Sequence, residues 1–578
     1  MTTTLQVYAD EDDALLFWTV AAAIPGCRGF AIARRMTDPT GKKTEKFLCN
    51  RVGFSADAPP TPGAAVHAQP STQWPFQRFS WTDHAANTGD TVSYQVIPVV
   101  RDASGGLVQL TDHASAWSPE RTLGTPSDSR FAPFFNRGFV ISQFMSRYLA
   151  KKKLTPREFK DGIQDEDEQA IRSFLSGDLR LALLNELKIA INDEAQIYAA
   201  LFELADNELV DALCTLGPNA HVVLANGSIT PHKGETSAQA RTRDENNDAR
   251  AKLLAANVDV AANDRFISPG ALGHNKFMVR TDRSGEPVIA WTGSTNWTPT
   301  GLCTQLNNGL LIKDASIAQT YLDQWHRLRD ATNGFPKALV SANSTAHIPA
   351  PPAPDAPAAT VWYSRTSGKV DLAALADVVK SAKQGILFLM FMPGGNGVLA
   401  DVMARVGEPG LYVRGVVSEL PHGPGNESAV KVDLINGAQQ QDTTLDIIQP
   451  EGVAHPFANF AAEVTHKQFL ANIGHAIIHS KVLVVDPFSP NATVVTGSHN
   501  FSQSASTGND ENFIVIRGDR ALAEAYAVNI MAAYDHYRWR AFIAEEQNPF
   551  NALADDDTWM APKLAASQHD LQFFCSST

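Results

Sequence analysis

Hydrophobic positions change their spacing along the chain. Over the first 122 residues they come in short runs, at 14–20, 29–35, 79–82 and 92–100, separated by segments rich in Pro, Gly, Asp and Thr. Such runs predict the strands of a small all-β sandwich. Further on, 181–191 and 208–216 read as helices, and 196–204 and 220–225 as strands. The same order returns at 372–382, 385–392, 398–406 and 411–417. Near-continuous apolar strands alternating with helices predict parallel sheets covered on both faces. The repetition predicts two similar α/β lobes.

These patterns divide the chain into a β-sandwich at 1–122, a first lobe at 123–340, a linker at 341–360, a second lobe at 361–545 and a tail at 546–578 with no readable pattern. The linker contains A-H-I-P-A-P-P-A-P-D-A-P-A-A-T, whose proline and alanine density favours an extended, semi-rigid chain. A long amphipathic helix at 519–545 is expected to pack on the second lobe. Charge runs at 151–153 and 165–168 read as solvated faces of a helical insertion. Polar segments at 228–250 and 419–463 precede the motifs described next, and by position they are candidates for loops that shape a pocket mouth. His232, His422, His455, His466 and His475, in or near them, read as surface or packing histidines.

Residues 478–512 carry I-H-S-K-V-L-V-V-D-P, then G-S-H-N-F-S, then N-D-E-N. On an extended strand His479 and Lys481 share a face. Beside a phosphate, the lysine neutralises non-bridging oxygens while the histidine attacks phosphorus or protonates the leaving oxygen. Asn500 adds a neutral donor. An isolated H-x-K is more often a core histidine near an unrelated lysine. Here a second copy lies upstream: G-H-N-K-F-M-V-R-T-D, with His274, Lys276 and Asp282, followed by G-S-T-N-W-T from Gly293 to Thr298.

With both strings in place, the chain resembles the phospholipase D superfamily over roughly residues 130–545. Members of that superfamily carry two H-x-K-x4-D / G-S-x-N half-sites around one pocket. The resemblance implies two α/β lobes related by a pseudo-twofold axis, and a phosphodiesterase working through a covalent phosphohistidine. It implies His274, His479, Lys276, Lys481, Asp486 and Asp282 as catalytic residues. Lys276, Lys481, Asn296, Asn500, Ser294 and Ser498 would hold the phosphate. It also implies that Glu511, eleven places after Asn500, accepts a hydrogen bond from a histidine of the other half; the first half has Asn307 there, followed by Asn308. Glu511 would then orient His274, making His274 the nucleophile and His479 the general acid. The scheme needs no cofactor and no metal.

The first copy departs from the pattern, because five residues separate Lys276 from Asp282 and Thr281 stands where the aspartate is expected. A β-bulge between Lys276 and Asp282 would restore the carboxylate's facing, and without one Asp282 points away. In the N-terminal segment, Trp18, Trp81, Asp83, Gly89 and Tyr94 faintly resemble a fibronectin type III pattern. That implies a structural, docking or substrate-presenting role.

Length and composition, 578 residues with 44% hydrophobic and 19% charged, are those of a soluble protein of several domains. No apolar run reaches the length of a membrane span, and the amino terminus lacks a basic segment and an apolar core. Five scattered cysteines suit reduced thiols. A cytoplasmic location is therefore expected, although export without a cleaved signal leaves the same sequence. A net charge of −14 lowers the nuclease reading without removing it, since Arg241, Arg243, Arg250 and the motif lysines would suit a local basic groove.

The first reading is hydrolysis or transfer of phospholipid head groups, with peripheral membrane contact. Trp297 and Phe501, next to the motif asparagines, either meet lipid or pack beneath the turn. The alternative is a metal-independent endonuclease. A non-catalytic binding protein ranks lower, because both histidines and both lysines are present. Both half-sites lie in one chain, so a monomer suffices.

Overall fold

In the computed structural model the described residues are 3–55, 57, 68–138, 152–154, 158–159, 162–260, 264–394, 396–418, 431–436, 439–444, 478–545 and 552–576. They form two compact units. One holds the first 125 residues and the chain from Glu524 onward; the other carries both motifs.

The first unit contains two main antiparallel sheets, beside a two-stranded ribbon of Cys49–Asn50 and Gln69–Pro70. Thr4–Ala9, Ala14–Thr19 and Ser80–Asp83 make one, while Cys27–Thr37 and Thr91–Arg101 lie at the centre of the other. Trp18 from one sheet meets Phe30 from the other edge to face, at 5.6 Å. Asp83, buried between them, accepts from Arg34 at 2.7 Å and from the Tyr94 hydroxyl at 2.9 Å, so the interior charge is paired.

The tail, unreadable in the sequence, forms helices Met560–Ala566 and Gln568–Cys575. Phe574 stacks on Phe17 at 4.0 Å, and the Trp559 indole donates to the Cys27 carbonyl at 3.0 Å. The helix Arg520–Glu545 was expected on the second lobe; from Glu524 it belongs instead to this unit. Glu524 receives the Ala9 N–H at 3.2 Å and pairs with Arg121, and Asp535 lies 3.8 Å from Arg78.

The second unit consists of the two lobes. The first sheet runs Phe131–Phe135, Asn308–Ile312, Pro287–Gly293, Lys276–Thr281, Ile197–Leu201, Ala220–Ala225, Asp264–Arg265. The second runs Ala358–Tyr363, Asn512–Arg517, Thr493–Gly497, Val482–Val485, Gly385–Met390, Tyr412–Val417, Lys431–Asn436, Gln439–Thr444. Over the first six strands the two orders match, so the sequence repeat is a repeat of topology; beyond them Asp264–Arg265 adds parallel in the first sheet, whereas Lys431–Asn436 and Gln439–Thr444 add antiparallel in the second. Every residue of Gly385–Met390 and Tyr412–Val417 is buried, as expected of strands covered on both faces.

The expectation of parallel sheets is corrected. Ile197–Leu201 pairs parallel with Ala220–Ala225, and Gly385–Met390 with Tyr412–Val417, but each motif strand runs antiparallel to its neighbours. The cause is the short connection after each motif strand, which permits only a hairpin. Between the lobes, Thr292 donates to the Asn512 side-chain oxygen at 2.6 Å and the Asn308 amide donates to the Thr496 hydroxyl at 2.7 Å, equivalent residue pairs across the pseudo-twofold axis joined by bonds of opposite direction.

The Pro/Ala-rich stretch lies between the helix Lys337–Asn343 and the strand Ala358–Tyr363. In the first polar segment a capping box at Thr236 and Gln239 starts the helix Ser237–Ala240. Of the second, only 431–436 and 439–444 are described; His422, His455, His466 and His475 lie outside the described residues.

Candidate active site

Each motif histidine stands just before its strand and is tied to the other lobe through its backbone. His274 N–H donates to the Asp510 carbonyl and His479 N–H to the Leu306 carbonyl, both at 2.9 Å. The side chains cross in the same way. His274 Nδ1 lies 2.7 Å from Glu511 Oε2, and His479 Nδ1 lies 2.8 Å from Asn307 Oδ1. A carboxylate only accepts, so Nδ1 of His274 carries the proton. Asn307 Nδ2 donates to the Gly301 carbonyl at 2.8 Å, which turns Oδ1 toward His479 and makes its Nδ1 the donor too. In the neutral rings Nε2 is then the bare nitrogen on both histidines.

The lysines are set alike. Lys276 Nζ donates to the His274 carbonyl at 2.8 Å and Lys481 Nζ to the His479 carbonyl at 2.6 Å. Each ammonium lies 4.8 Å from an aromatic centroid, Phe202 and Phe391 respectively, and the same rings flank the two histidines at 4.8 and 4.9 Å. Cation–π contact holds a charge there without neutralising it.

Burial dominates the electrostatics. It pulls His274 down to about 4 against the opposing pull of Glu511, and it pulls His479 well below the usual imidazole range, helped by Lys481 and Lys276. Burial also takes Lys276 down to about 7 and Lys481 well below an ordinary lysine. Burial pushes Glu511 up, but His274, His499 and Lys276 together outweigh it and hold Glu511 below the ordinary glutamate value. The site is therefore short of anionic charge, and an arriving phosphate would raise both lysines and His479 toward their charged forms.

Gly293 and Gly497 make the turns that follow possible. Both have positive φ (150° and 156°), and a Cβ would stand 2.3 Å from the carbonyls of Asn308 and Asn512. Beyond them Asn296 and Asn500 each keep a buried amide oxygen without a protein partner. The hydroxyls of Ser294 and Ser498 are engaged within the protein. Ser294 Oγ donates to Asn307 Oδ1 at 2.7 Å, Ser498 Oγ accepts the Asn512 N–H at 3.0 Å, and both are fully buried, bracing the paired strand.

The two aspartates are corrected. Asp486 accepts the backbone N–H groups of Lys383, Gln384 and Gly385 at 2.6–3.0 Å, at the far end of its strand from Lys481. Five residue steps of extended chain separate them by about 16 Å. In the first half Thr281 holds the equivalent place, its Oγ accepting the Gln196 N–H at 3.0 Å. The register does shift there, but Arg280 pairs with Ile289 and Thr281 with Pro287, so the extra residue is Val288 on the partner strand. Asp282 is left in the exposed turn, accepting from Ser284 and Glu286. Asp486→Ala is expected to lower the unfolding free energy by about 1–3 kcal/mol, while Asp282→Ala leaves it nearly unchanged; denaturant melts of both variants check this.

Trp297 and Phe501 are fully buried, which removes them from any lipid contact. Arg243 pairs with Glu235, and Arg250 with Asp244 and Asp264, so two arginines of the suggested basic groove are held by local carboxylates. Asp10, Asp12 and Asp13 bring three carboxylates within 4.8 Å, but they belong to the β unit, and Asp10 Oδ1 already accepts two backbone N–H groups. Among the described residues no helix is long and apolar enough to cross a membrane.

Sequence reasoning missed Phe202, Phe391 and Glu203. Glu203 Oε2 accepts from Asn296 Nδ2 at 2.7 Å. The signal was present in the repeat: aligning the strand Ile197–Leu201 with Gly385–Met390 through their motif partners sets Phe202 against Phe391 and Glu203 against Met392.

Two topologically matched α/β lobes, each contributing a histidine and a lysine to one buried cluster, define a duplicated α/β protein. The family model described as cardiolipin synthase, PLD-like domain, matches residues 184–329 and 376–531, more than half of the chain, and the protein belongs to this family of the phospholipase D superfamily.

Similar solved structures include phosphatidylserine synthase of Haemophilus influenzae Rd KW20, with 12% identity, 70% of this chain and 92% of that chain covered, and a TM-score of 0.39. Polyphosphate kinase of Porphyromonas gingivalis gives 10%, 98%, 82% and 0.38 for the same measures. Nuc of Salmonella typhimurium, a phospholipase D family member, gives 18%, 31%, 95% and 0.18. Comparison with curated proteins gives no match.

Proposed function

We propose that the protein cleaves or transfers phosphodiesters through a phosphohistidine on His274, with phospholipid head groups as its substrates. The observation that carries this reading is the crossed pair of contacts, His274 with Glu511 and His479 with Asn307. Glu511 stabilises the positive charge that grows on His274 as its Nε2 attacks phosphorus. His479, beside a neutral amide, takes a proton as the anionic diester arrives and gives it to the departing alkoxide. In the second step His479 removes a proton from water or another alcohol, which displaces His274 from phosphorus. Lys276, Lys481, Asn296 and Asn500 stabilise the equatorial oxygens.

Phospholipid is favoured over nucleic acid because Arg243 and Arg250 are paired with local carboxylates and the chain is acidic. The test is turnover of phosphatidylethanolamine or phosphatidylcholine vesicles beside single-stranded DNA, with chelator present. Head-group release unaffected by chelator is expected. DNA cleavage without lipid turnover would make the protein a nuclease, and loss of activity to chelator would overturn the histidine–lysine scheme.

A further inference from the structure

Glu203 breaks the symmetry of the site. The two halves match in histidine, lysine, aromatic ring, glycine, serine and asparagine, yet at the residue after the ring one half has Glu203 and the other has Met392, which is exposed. The carboxylate is half-buried, and burial raises its pKa above the ordinary glutamate value even with Lys276 and Lys481 in electrostatic range. Its one hydrogen bond from a described residue is that of Asn296 to Oε2, and among the described residues no cationic group lies within ion-pair distance of it. Lys276 and Lys481 are directed instead to the carbonyls of their own histidines.

A neutral acceptor would hold the Asn296 amide equally well. A half-buried carboxylate without a cation is costly, and that cost is offset when the missing cation arrives with the ligand. On the phosphodiesterase reading Asn296 offers the second hydrogen of Nδ2 to the phosphate, which would put Glu203 one amide away from the phosphate oxygens. A short amino alcohol esterified to the phosphate would bring its ammonium group to that side of the site.

We infer that Glu203 is a specificity-determining residue, selecting phosphodiesters whose alcohol carries an ammonium group two carbons from the ester oxygen. The inference rests on the phosphodiesterase reading and narrows its substrate class. Nothing corresponds to it in the second half, where Met392 offers no charge, so the amino alcohol lies toward the first-half asparagine.

The experiment compares three soluble diesters: short-chain phosphatidylethanolamine, short-chain phosphatidylglycerol and bis(4-nitrophenyl) phosphate, with wild type, Glu203→Gln and Glu203→Ala. Glutamine keeps an acceptor for Asn296 and removes only the charge. The expected result is that Glu203→Gln lowers kcat/KM on the ethanolamine lipid at least tenfold more than on the glycerol lipid. An equal fall on both would make Glu203 a positioning residue for Asn296 and overturn the inference. Wild type inactive on all three would overturn the phosphodiesterase reading and this inference with it, whereas activity on the nitrophenyl diester with no lipid preference overturns the inference alone. A second measurement needs no variant: phosphoethanolamine should inhibit the wild type at least tenfold more tightly than inorganic phosphate, and equal inhibition would overturn the assignment.

Discussion

His274→Ala is expected to lower kcat/KM on any phosphodiester about ten-thousandfold or more, because it removes the atom that attacks phosphorus and nothing else in the cluster can replace it. The same variant should incorporate no phosphorus label, whereas wild type quenched in acid-free denaturant should carry it on the peptide containing His274. Glu511→Gln keeps an acceptor 2.7 Å from Nδ1 but loses the negative charge, so a smaller fall of roughly a hundredfold is expected. The pH profile of kcat/KM separates the groups. His274 acts as a base, so activity is lost as pH falls through its value of about 4; His479, as the acid, must carry a proton and is held well below the usual imidazole range, so the loss on the alkaline side begins with His479, and Lys276, charged only below about 7, adds to it. Full activity of His274→Ala, or label on His479 in the wild type, would reverse the assignment.

The two histidine–lysine pairs were legible because polar residues interrupt otherwise apolar strands at the same spacing twice. The partners Glu511 and Asn307 were legible because each stands eleven places after its motif asparagine. Other features depend on pairing that no spacing rule contains. Thr281 takes the place of Asp486 because the additional residue of the first half is accommodated by Val288 on the opposite strand. Ser294 and Ser498 look like phosphate ligands in the string, but the close approach at Gly293 and Gly497 turns their hydroxyls into the sheet. Glu203 is isolated in sequence and gains meaning only from the residue at the matched place in the other lobe. The C-terminal helices show no strong pattern of their own, since their apolar side chains complement a sheet built from the first residues of the chain.

Loss of His479 should depend on the leaving group. Its proposed task in the first step is to protonate the departing oxygen, which an aliphatic alkoxide requires and a 4-nitrophenolate does not. His479→Ala is therefore expected to slow head-group release from phospholipid by roughly a hundredfold to ten-thousandfold, while the first turnover of bis(4-nitrophenyl) phosphate stays fast. The second step still needs a base to deprotonate water, and with Asn307 facing an empty position no group is left to do so. The variant should then give a burst of one 4-nitrophenolate per protein followed by slow turnover, with the phosphoryl group retained on His274. Because the intermediate persists, its site can be read directly by mass spectrometry. Equal slowing of both substrates without a burst would mean that His479 is the attacking group, and that the neutral Asn307, rather than Glu511, supports the nucleophile.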